Sequence, residues 1–201
     1  MDEIVLRALK KWPDVPSVYG WLALDRRGNW SIKGERIANT TITSFIGRNY
    51  SHDARGRWFF QNGPQRVFVT LDYTPLVFRT QGTAPEELTL IDHRGEPAAR
   101  HRSAWLDQSG SILIETKSSV GVVHDQDLPE IVACLVGPDG KPLSDAAMEE
   151  LLTPAPADAP SGARLFLGGH AAPLSRIRSD EVAARFGFDP DPRPAAGEPE
   201  C

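Results

Sequence analysis

Short apolar runs separated by turn-forming residues dominate the chain, and this pattern predicts strands more often than helices. The predicted strands are 20–24, 29–33, 57–61, 65–71, 76–80, 88–91, 104–106, 111–116, 120–123, 131–136 and 164–167. Asn62-Gly63 separates two of these runs, and this dipeptide between apolar runs is a strong indicator of a tight hairpin turn. We therefore predict a three-stranded antiparallel meander over residues 57–80.

Helical spacing of apolar residues occurs in a few short segments. The clearest one follows Asn39, a suitable helix cap, with Ile42, Phe45 and Ile46 at positions i, i+3 and i+4. The predicted helices are 1–12, 40–48, 145–152 and 180–186, the last two with Ser144 and Ser179 as their caps.

The motif Asp-x-x-Gly recurs between predicted strands, beginning at Asp25, Asp53, Asp92 and Asp107. The spacing is uneven, which argues against a solenoid or propeller built on a fixed period. One interpretation is a single turn chemistry used repeatedly, because aspartate and glycine suit type I turns. The other is a duplicated hairpin, since the first two copies share Asp-x-Arg-Gly-x-Trp and would place two tryptophans on equivalent surfaces.

These patterns predict an α+β fold, consisting of a mainly antiparallel β-meander sheet or a partly open barrel with a few short helices. We expect a β-rich main domain over residues 1–142 that includes the N-terminal helix. Residues 143–188 are expected to form a small helical and β appendage packed on it. Residues 189–201 are rich in proline and are predicted to be a disordered tail.

Composition narrows the class of protein further. The chain has 201 residues, a net charge of −5 and two cysteines, so its overall charge does not favour nucleic acid or an anionic membrane. No apolar run approaches the ~20 residues of a membrane span, and the N-terminus lacks secretory-signal features. We therefore expect a soluble cytoplasmic protein, with Cys134 as a small buried apolar residue.

Two stretches resemble an uncharacterised bacterial protein family of proteobacterial type. They are residues 18–28 (VYGWLALDRRG) and 56–67 (GRWFFQNGPQRV). The resemblance is limited to about residues 15–79. It implies a bacterial source and a family of unknown function, and it assigns no activity, cofactor or catalytic residue.

Acid–base chemistry has few candidate residues. The candidate catalytic side chains are His52, Asp72 and His124. His52 and His124 each precede an aspartate, but adjacent residues on a strand point to opposite faces, so both also suit polar turns. No histidine or cysteine spacing indicates a metal site, and no motif indicates a cofactor.

A basic and aromatic cluster is the other candidate site. Arginine beside exposed aromatic rings can stack on bases or bind acidic groups, whereas the same aromatics facing a core leave only a solvated basic rim. The candidate binding residues are Trp30, Arg48, Tyr50, Arg55, Arg57, Trp58 and Arg66.

Two function classes remain open, and the sequence alone identifies no reaction or ligand. We favour a non-enzymatic binding or interaction module, whose partner is a protein rather than nucleic acid or a membrane. Self-association through a sheet edge is a further expectation. The alternative is a small enzyme or small-molecule binder with a pocket lined by histidine and aspartate at the sheet or barrel mouth.

Overall fold

The computed structural model describes residues 1–12, 15–82, 86–153 and 160–194, and it has an α+β fold. The chain forms two compact units. Unit 1 comprises Met1–Pro75 with Ala183–Cys201, and unit 2 comprises Leu76–Val182. The boundary predicted after residue 142 lies inside unit 2, and the domain division proposed from the sequence stays a prediction.

Unit 1 contains a six-stranded mixed sheet with two helices from the first part of the chain. Its elements are α1 (Glu3–Lys11), β1 (Val18–Leu24), β2 (Trp30–Ile32), β3 (Glu35–Arg36), α2 (Thr40–Arg48), β4 (Tyr50–His52), β5 (Trp58–Asn62) and β6 (Gln65–Leu71). The strand order is β3-β2-β1-β6-β5-β4, with β1 and β6 parallel and the other neighbours antiparallel.

Unit 2 contains an eight-stranded mixed sheet. Its elements are β7 (Leu76–Gln81), β8 (Thr89–Asp92), β9 (His101–Asp107), β10 (Ile112–Thr116), β11 (Val120–Val123), a 3-10 helix (Asp125–Asp127), α3 (Leu128–Ala133), β12 (Leu135–Val136), α4 (Asp145–Leu152), β13 (Pro160–Leu167) and β14 (His170–Ile177). The order is β12-β13-β14-β9-β10-β11-β7-β8, in which β11 pairs with β7 and β14 with β9 in parallel.

The predicted helix caps are present in two places. The Asn39 side chain accepts hydrogen bonds from the backbone N–H groups of Thr41 and Ile42, so α2 begins where its cap predicts. The Ser144 hydroxyl likewise accepts a hydrogen bond from the N–H of Ala147 at the start of α4.

The four Asp-x-x-Gly turns share one hydrogen-bond pattern. In the first, Asp25 Oδ1 accepts hydrogen bonds from the backbone N–H groups of Arg27 and Asn29, both at 2.8 Å, and the Gly28 N–H donates to the Asp25 carbonyl. The turns that begin at Asp53, Asp92 and Asp107 repeat these contacts. The glycine has a positive φ in each turn, which explains why this residue type recurs there.

Helix α5 (Val182–Phe186) is followed by a segment that packs on the sheet of unit 1. The Asp189 N–H donates to the Gly56 carbonyl at 3.0 Å, and the Leu71 N–H donates to the Pro190 carbonyl at 2.8 Å. These bonds order the start of a tail that we predicted to be disordered from residue 189. The rest of that tail, residues 195–201, lies outside the described residues.

The predicted three-stranded meander is wrong at its third strand. Strands β5 and β6 form the expected hairpin, but β7 belongs to the sheet of unit 2. The reason is that β6 already has β5 on one side and β1 on the other, so it has no free edge to offer. Neither sheet closes into a barrel, which corrects the barrel alternative.

The predicted strand over residues 131–136 is mostly helix. Pro129 lies in the first turn of α3, a position that favours helix formation, and only residues 135–136 are extended. Ile131 and Cys134 are buried, so the apolar run reflects the core and not a strand. The predicted burial of Cys134 is confirmed, and burial raises the pKa of its thiol to about 11.

Candidate binding site

An open pocket of about 330 Å³ lies between helix α2 and one face of the unit 1 sheet. Its walls are side chains from α2, β1, β2, β5 and β6, most of them aliphatic or aromatic. The lining residues are Val18, Trp21, Leu22, Ile32, Ile42, Phe45, Ile46, Phe60, Asn62, Gln65 and Val67. None of these lining residues, all of which the structure describes, is ionisable.

The α2 wall follows from the helical spacing of its apolar residues. Ile42, Phe45 and Ile46 lie on one side of the helix and line the pocket. Ile46 is 2% exposed, and the Phe45 ring meets the Phe60 ring edge-on with centroids 5.5 Å apart. Such aromatic pairs contribute about 1 kcal/mol beyond their buried area, so this wall is held in place before any ligand arrives.

The rim of the pocket exposes large apolar side chains. Trp21 and Ile32 are each 44% exposed, and Ile42 is 47% exposed. The Lys33 ammonium lies 3.7 Å from the centroid of the Trp21 ring, a cation–π contact that holds the indole at the mouth. Gly20, with a φ of +69°, lies within the register shift of β1 just before Trp21, so the strand is irregular where the indole leaves it.

Two side-chain amides form the polar end of the pocket. Asn62 and Gln65 are opposite each other across the β5–β6 turn. The Gln65 Nε2 donates to the Pro16 carbonyl at 3.0 Å, which fixes that amide, and Asn62 is exposed. An apolar cavity with a few placed polar groups is the usual form of a binding site. The lining residues contain no acid, base or nucleophile, so the pocket has the composition of a binding site.

The aromatic residues of the predicted binding cluster form a buried group in unit 1. Trp30, Tyr50 and Trp58 are 2%, 5% and 6% exposed. The Tyr50 ring lies 5.1 Å from Trp30 and 4.7 Å from Trp58, and its hydroxyl donates to the Pro75 carbonyl. The exposure that a stacking surface needs is therefore missing at these rings, because they pack against one another.

The arginines of that cluster have different surroundings. Arg57 donates to Asp53 at 2.8 Å and lies over the Phe68 ring, whereas Arg48 pairs with Asp2. Arg66 is exposed above the Phe59 ring, and Arg55 is exposed at its turn. Burial alone would raise the pKa of Asp53, but its hydrogen bonds from Arg57 and Arg55 outweigh burial and hold that pKa below its ordinary value. The role of these arginines in binding stays a prediction.

The three candidate catalytic residues take part in local contacts. His52 is exposed beside the Trp58 ring, and Asp72 lies 3.8 Å from Arg26, both within unit 1. His124 belongs to unit 2, where its Nδ1 accepts the Gln126 N–H and caps the 3-10 helix. These contacts describe turns and caps, and catalysis by these residues stays a prediction.

Sequence reasoning missed the pocket itself. Trp21, Ile32 and Ile42 lie on elements whose apolar pattern predicts core residues, so nothing in the sequence distinguishes them from buried positions. A signal was nevertheless present in Gly20, since glycine inside a strand often marks a bulge that redirects a side chain.

The described part of the chain has neither a cluster of metal ligands nor a membrane-spanning helix. There, no three residues of the types His, Cys, Asp and Glu are grouped so that they could hold a metal ion. None of the described helices has both the length and the apolar character needed to span a bilayer.

Solved structures of two bacterial proteins are similar to this chain. A DUF1285 family protein from Silicibacter pomeroyi DSS-3 is 13% identical, with a TM-score of 0.54, over 88% of this chain and 97% of that one. A DUF1285 family protein from Shewanella baltica OS155 is 15% identical, with a TM-score of 0.43, over 59% of this chain and 91% of that one. At 13% identity, the similarity to the Silicibacter pomeroyi protein shows a shared fold and nothing more.

No curated protein matches the chain. A family model does match: DUF2944, which carries the description "Protein of unknown function (DUF2946)", aligns with residues 1–193. This confirms the predicted membership in a family of unknown function and extends it well beyond residues 15–79. Because the match covers nearly the whole chain, the protein belongs to the DUF2944 family of proteins of unknown function.

Proposed function

We propose that unit 1 is a non-enzymatic binding module whose pocket takes apolar side chains of a protein partner. The observation that carries this proposal is the open cavity of about 330 Å³ between α2 and the sheet, with walls that are almost entirely apolar. Its size falls in the range of ordinary ligand sites, and two amides at one end can orient what enters.

The exposed rim favours a protein segment over a small molecule. Trp21, Ile32 and Ile42 extend the apolar surface beyond the cavity, and an enclosed small ligand would leave them in water. Continuous apolar rims of this kind mark protein interaction sites, and tryptophan is enriched among the residues that dominate binding energy. We expect the partner to insert one or two large aliphatic or aromatic side chains, with Lys33 beside an acidic group at the edge.

The test replaces Ile42 with glutamate. Because Ile42 is 47% exposed, the substitution leaves the fold intact but places a charge at the mouth of an apolar pocket. Peptides selected from a random display library against the wild-type protein would lose at least about tenfold in affinity, or ~1.4 kcal/mol, by titration calorimetry.

Ser44→Glu is the matched control, since Ser44 is exposed on the same helix and does not line the pocket. It is expected to bind the peptides as the wild type does. Equal binding by a folded Ile42→Glu variant, or selected peptides without large apolar residues, would contradict the proposal.

We further propose that the protein acts in the cytoplasm. This is supported by Cys134, a buried cysteine with a free thiol, since unpaired thiols are common where the compartment is reducing. Fractionation of the bacterium against a periplasmic marker tests this, and co-release with that marker would contradict it.

A further inference from the structure

A second cavity, of about 220 Å³, lies in unit 2 at the meeting of three chain segments. The start of β8, the approach to β9, and the hairpin that joins β13 to β14 each supply part of its wall. The lining residues are Leu88, Thr89, Leu90, Ala98, Ala99, Arg100, His101, Leu167, Gly168 and His170. Gly168 and Gly169 both have positive φ, so they form the tight turn that brings His170 back beside the cavity.

Two histidines come together in this wall. The ring centroids of His101 and His170 are 4.9 Å apart. His101 is 6% exposed, and its Nε2 lies 3.3 Å from the Leu165 carbonyl. A carbonyl oxygen only accepts hydrogen bonds, so Nε2 carries the proton that it donates. The His101 ring also interacts with the backbone of His170, so the chain itself holds this ring in the wall.

None of the ionisable side chains that line this cavity is acidic: they are Arg100, His101 and His170. Burial is the main factor that lowers the pKa of His101, nearby His170 and Arg100 lower it further, and hydrogen bonds to the backbone at Leu165 and His170 oppose this. The described lining residues include no aspartate or glutamate to balance Arg100. The positive charge of Arg100 therefore has no acidic partner in the cavity lining, which favours an anionic ligand there.

The remaining wall is apolar. Leu88, Leu90 and Leu167 are 4%, 7% and 4% exposed and present aliphatic surface to the cavity. A phosphate or sulfate ion would make no apolar contact with this wall, whereas a carboxylate that bears a short hydrocarbon chain would pack against it. A volume of about 220 Å³ is below the ~300–1,000 Å³ of sites for drug-sized ligands, so the cavity suits a molecule as small as a short-chain acid and not a long acyl chain.

We propose that unit 2 has a binding site for a small aliphatic carboxylate, whose anionic group is held by Arg100 and His170, with His101 in the wall beside them. Arg100 provides a planar pair of donors that matches a carboxylate. His170 provides a hydrogen bond from its half-buried position, and the leucines contact the hydrocarbon. This site is separate from the apolar pocket of unit 1, and it does not depend on the function proposed for that unit.

The test titrates the full chain with sodium butanoate by NMR and calorimetry, beside butan-1-ol, butylamine and inorganic phosphate. We expect saturable butanoate binding that shifts the signals of His101 and His170. The alcohol and the amine should not bind, and phosphate should bind at least about tenfold more weakly, because it lacks the hydrocarbon.

Arg100→Gln should weaken butanoate binding by about tenfold or more, since Arg100 is exposed and its loss leaves the fold intact. Arg102→Gln is the matched control, because Arg102 is an exposed arginine two residues further along the chain, in β9, that does not line the cavity. Butanoate binding by this variant should stay within about twofold of wild type. His170→Asn, at a half-buried position, provides an independent variant that should also weaken binding.

Three results would overturn the proposal. The first is the absence of saturable butanoate binding with a Kd below about 10 mM. The second is binding that Arg100→Gln and His170→Asn leave unchanged. The third is stoichiometric Zn²⁺ binding at the two histidines without any carboxylate binding, which would identify the pair as a metal site instead.

Discussion

At the scale of single residues, the aspartates of the Asp-x-x-Gly turns are explained by structure. Asp53 illustrates this: its Oδ1 accepts two backbone N–H groups and its Oδ2 accepts the Arg57 guanidinium. A carboxylate used in this way has little capacity left for substrate. The arginines near this turn differ in their surroundings. Arg57 is 13% exposed and belongs to this hydrogen-bond network, whereas Arg66 is exposed.

This difference predicts unequal effects of two alanine substitutions. Arg57→Ala removes the ion pair with Asp53, a 3.4 Å contact with the Tyr19 hydroxyl and the stacking on Phe68. It should lower the free energy of unfolding by about 2 kcal/mol, because the half-buried carboxylate loses its partner. Arg66→Ala removes only an exposed cation–π contact with Phe59 and should cost less than about 1 kcal/mol. Chemical denaturation measures both, and equal losses would contradict the assignment.

His101 predicts a pH dependence of stability. Its pKa lies below the ordinary value in the folded protein, chiefly because of burial, so the unfolded chain binds its proton more readily. The free energy of unfolding therefore falls as pH drops below about 6.5, and this contribution levels off below the folded pKa.

The measurement compares wild type with His101→Gln by denaturation between about pH 8 and 5. The variant retains a side-chain N–H donor but cannot titrate, so the difference between the two proteins should be constant above pH 7 and change below it. Parallel curves over the whole range would show that His101 is not held in its neutral form.

At the scale of elements, local sequence patterns predicted helices and hairpin turns better than they predicted which strands pair with each other. The caps Asn39 and Ser144 and the turn Asn62-Gly63 are local signals, and the elements they predict are present. The parallel pairing of β1 with β6 was not predictable, because it depends on residues far apart in the chain. The pocket was missed for the same reason, since exposure of Trp21 depends on which strands and helices surround it.

The close approach between the Asp53 turn and the C-terminal segment gives an element-level prediction. A Cβ atom at Gly56 would clash with the Gly187 carbonyl oxygen, and Gly56 has a φ of +75°. Gly56→Ala should therefore displace this segment, and the Leu71 amide, which donates to Pro190, should exchange with solvent faster.

Gly95→Ala is the matched control for this substitution. Gly95 occupies the same turn position with a φ of +83°, but a Cβ there would meet nothing within 4 Å. It should cost only about 1 kcal/mol of backbone strain and leave the Leu71 amide unaffected. Unchanged exchange at Leu71 in Gly56→Ala would show that the contact is not needed to hold the segment.

At the scale of the whole molecule, the two sheets carry different kinds of cavity. The unit 1 pocket is apolar with two amides, and the unit 2 cavity combines basic groups with leucines. Each is built entirely within its own unit, so the two proposed sites can be tested by separate substitutions in one protein.

The return of the chain to unit 1 has a consequence for how the protein is made. Unit 1 uses Met1–Pro75 and then Ala183–Cys201, so all of unit 2 is inserted between its two parts. During synthesis on the ribosome, unit 2 can be complete while unit 1 still lacks the residues that supply the carbonyl of Pro190 to Leu71. The apolar pocket would then belong to the unit that finishes folding last.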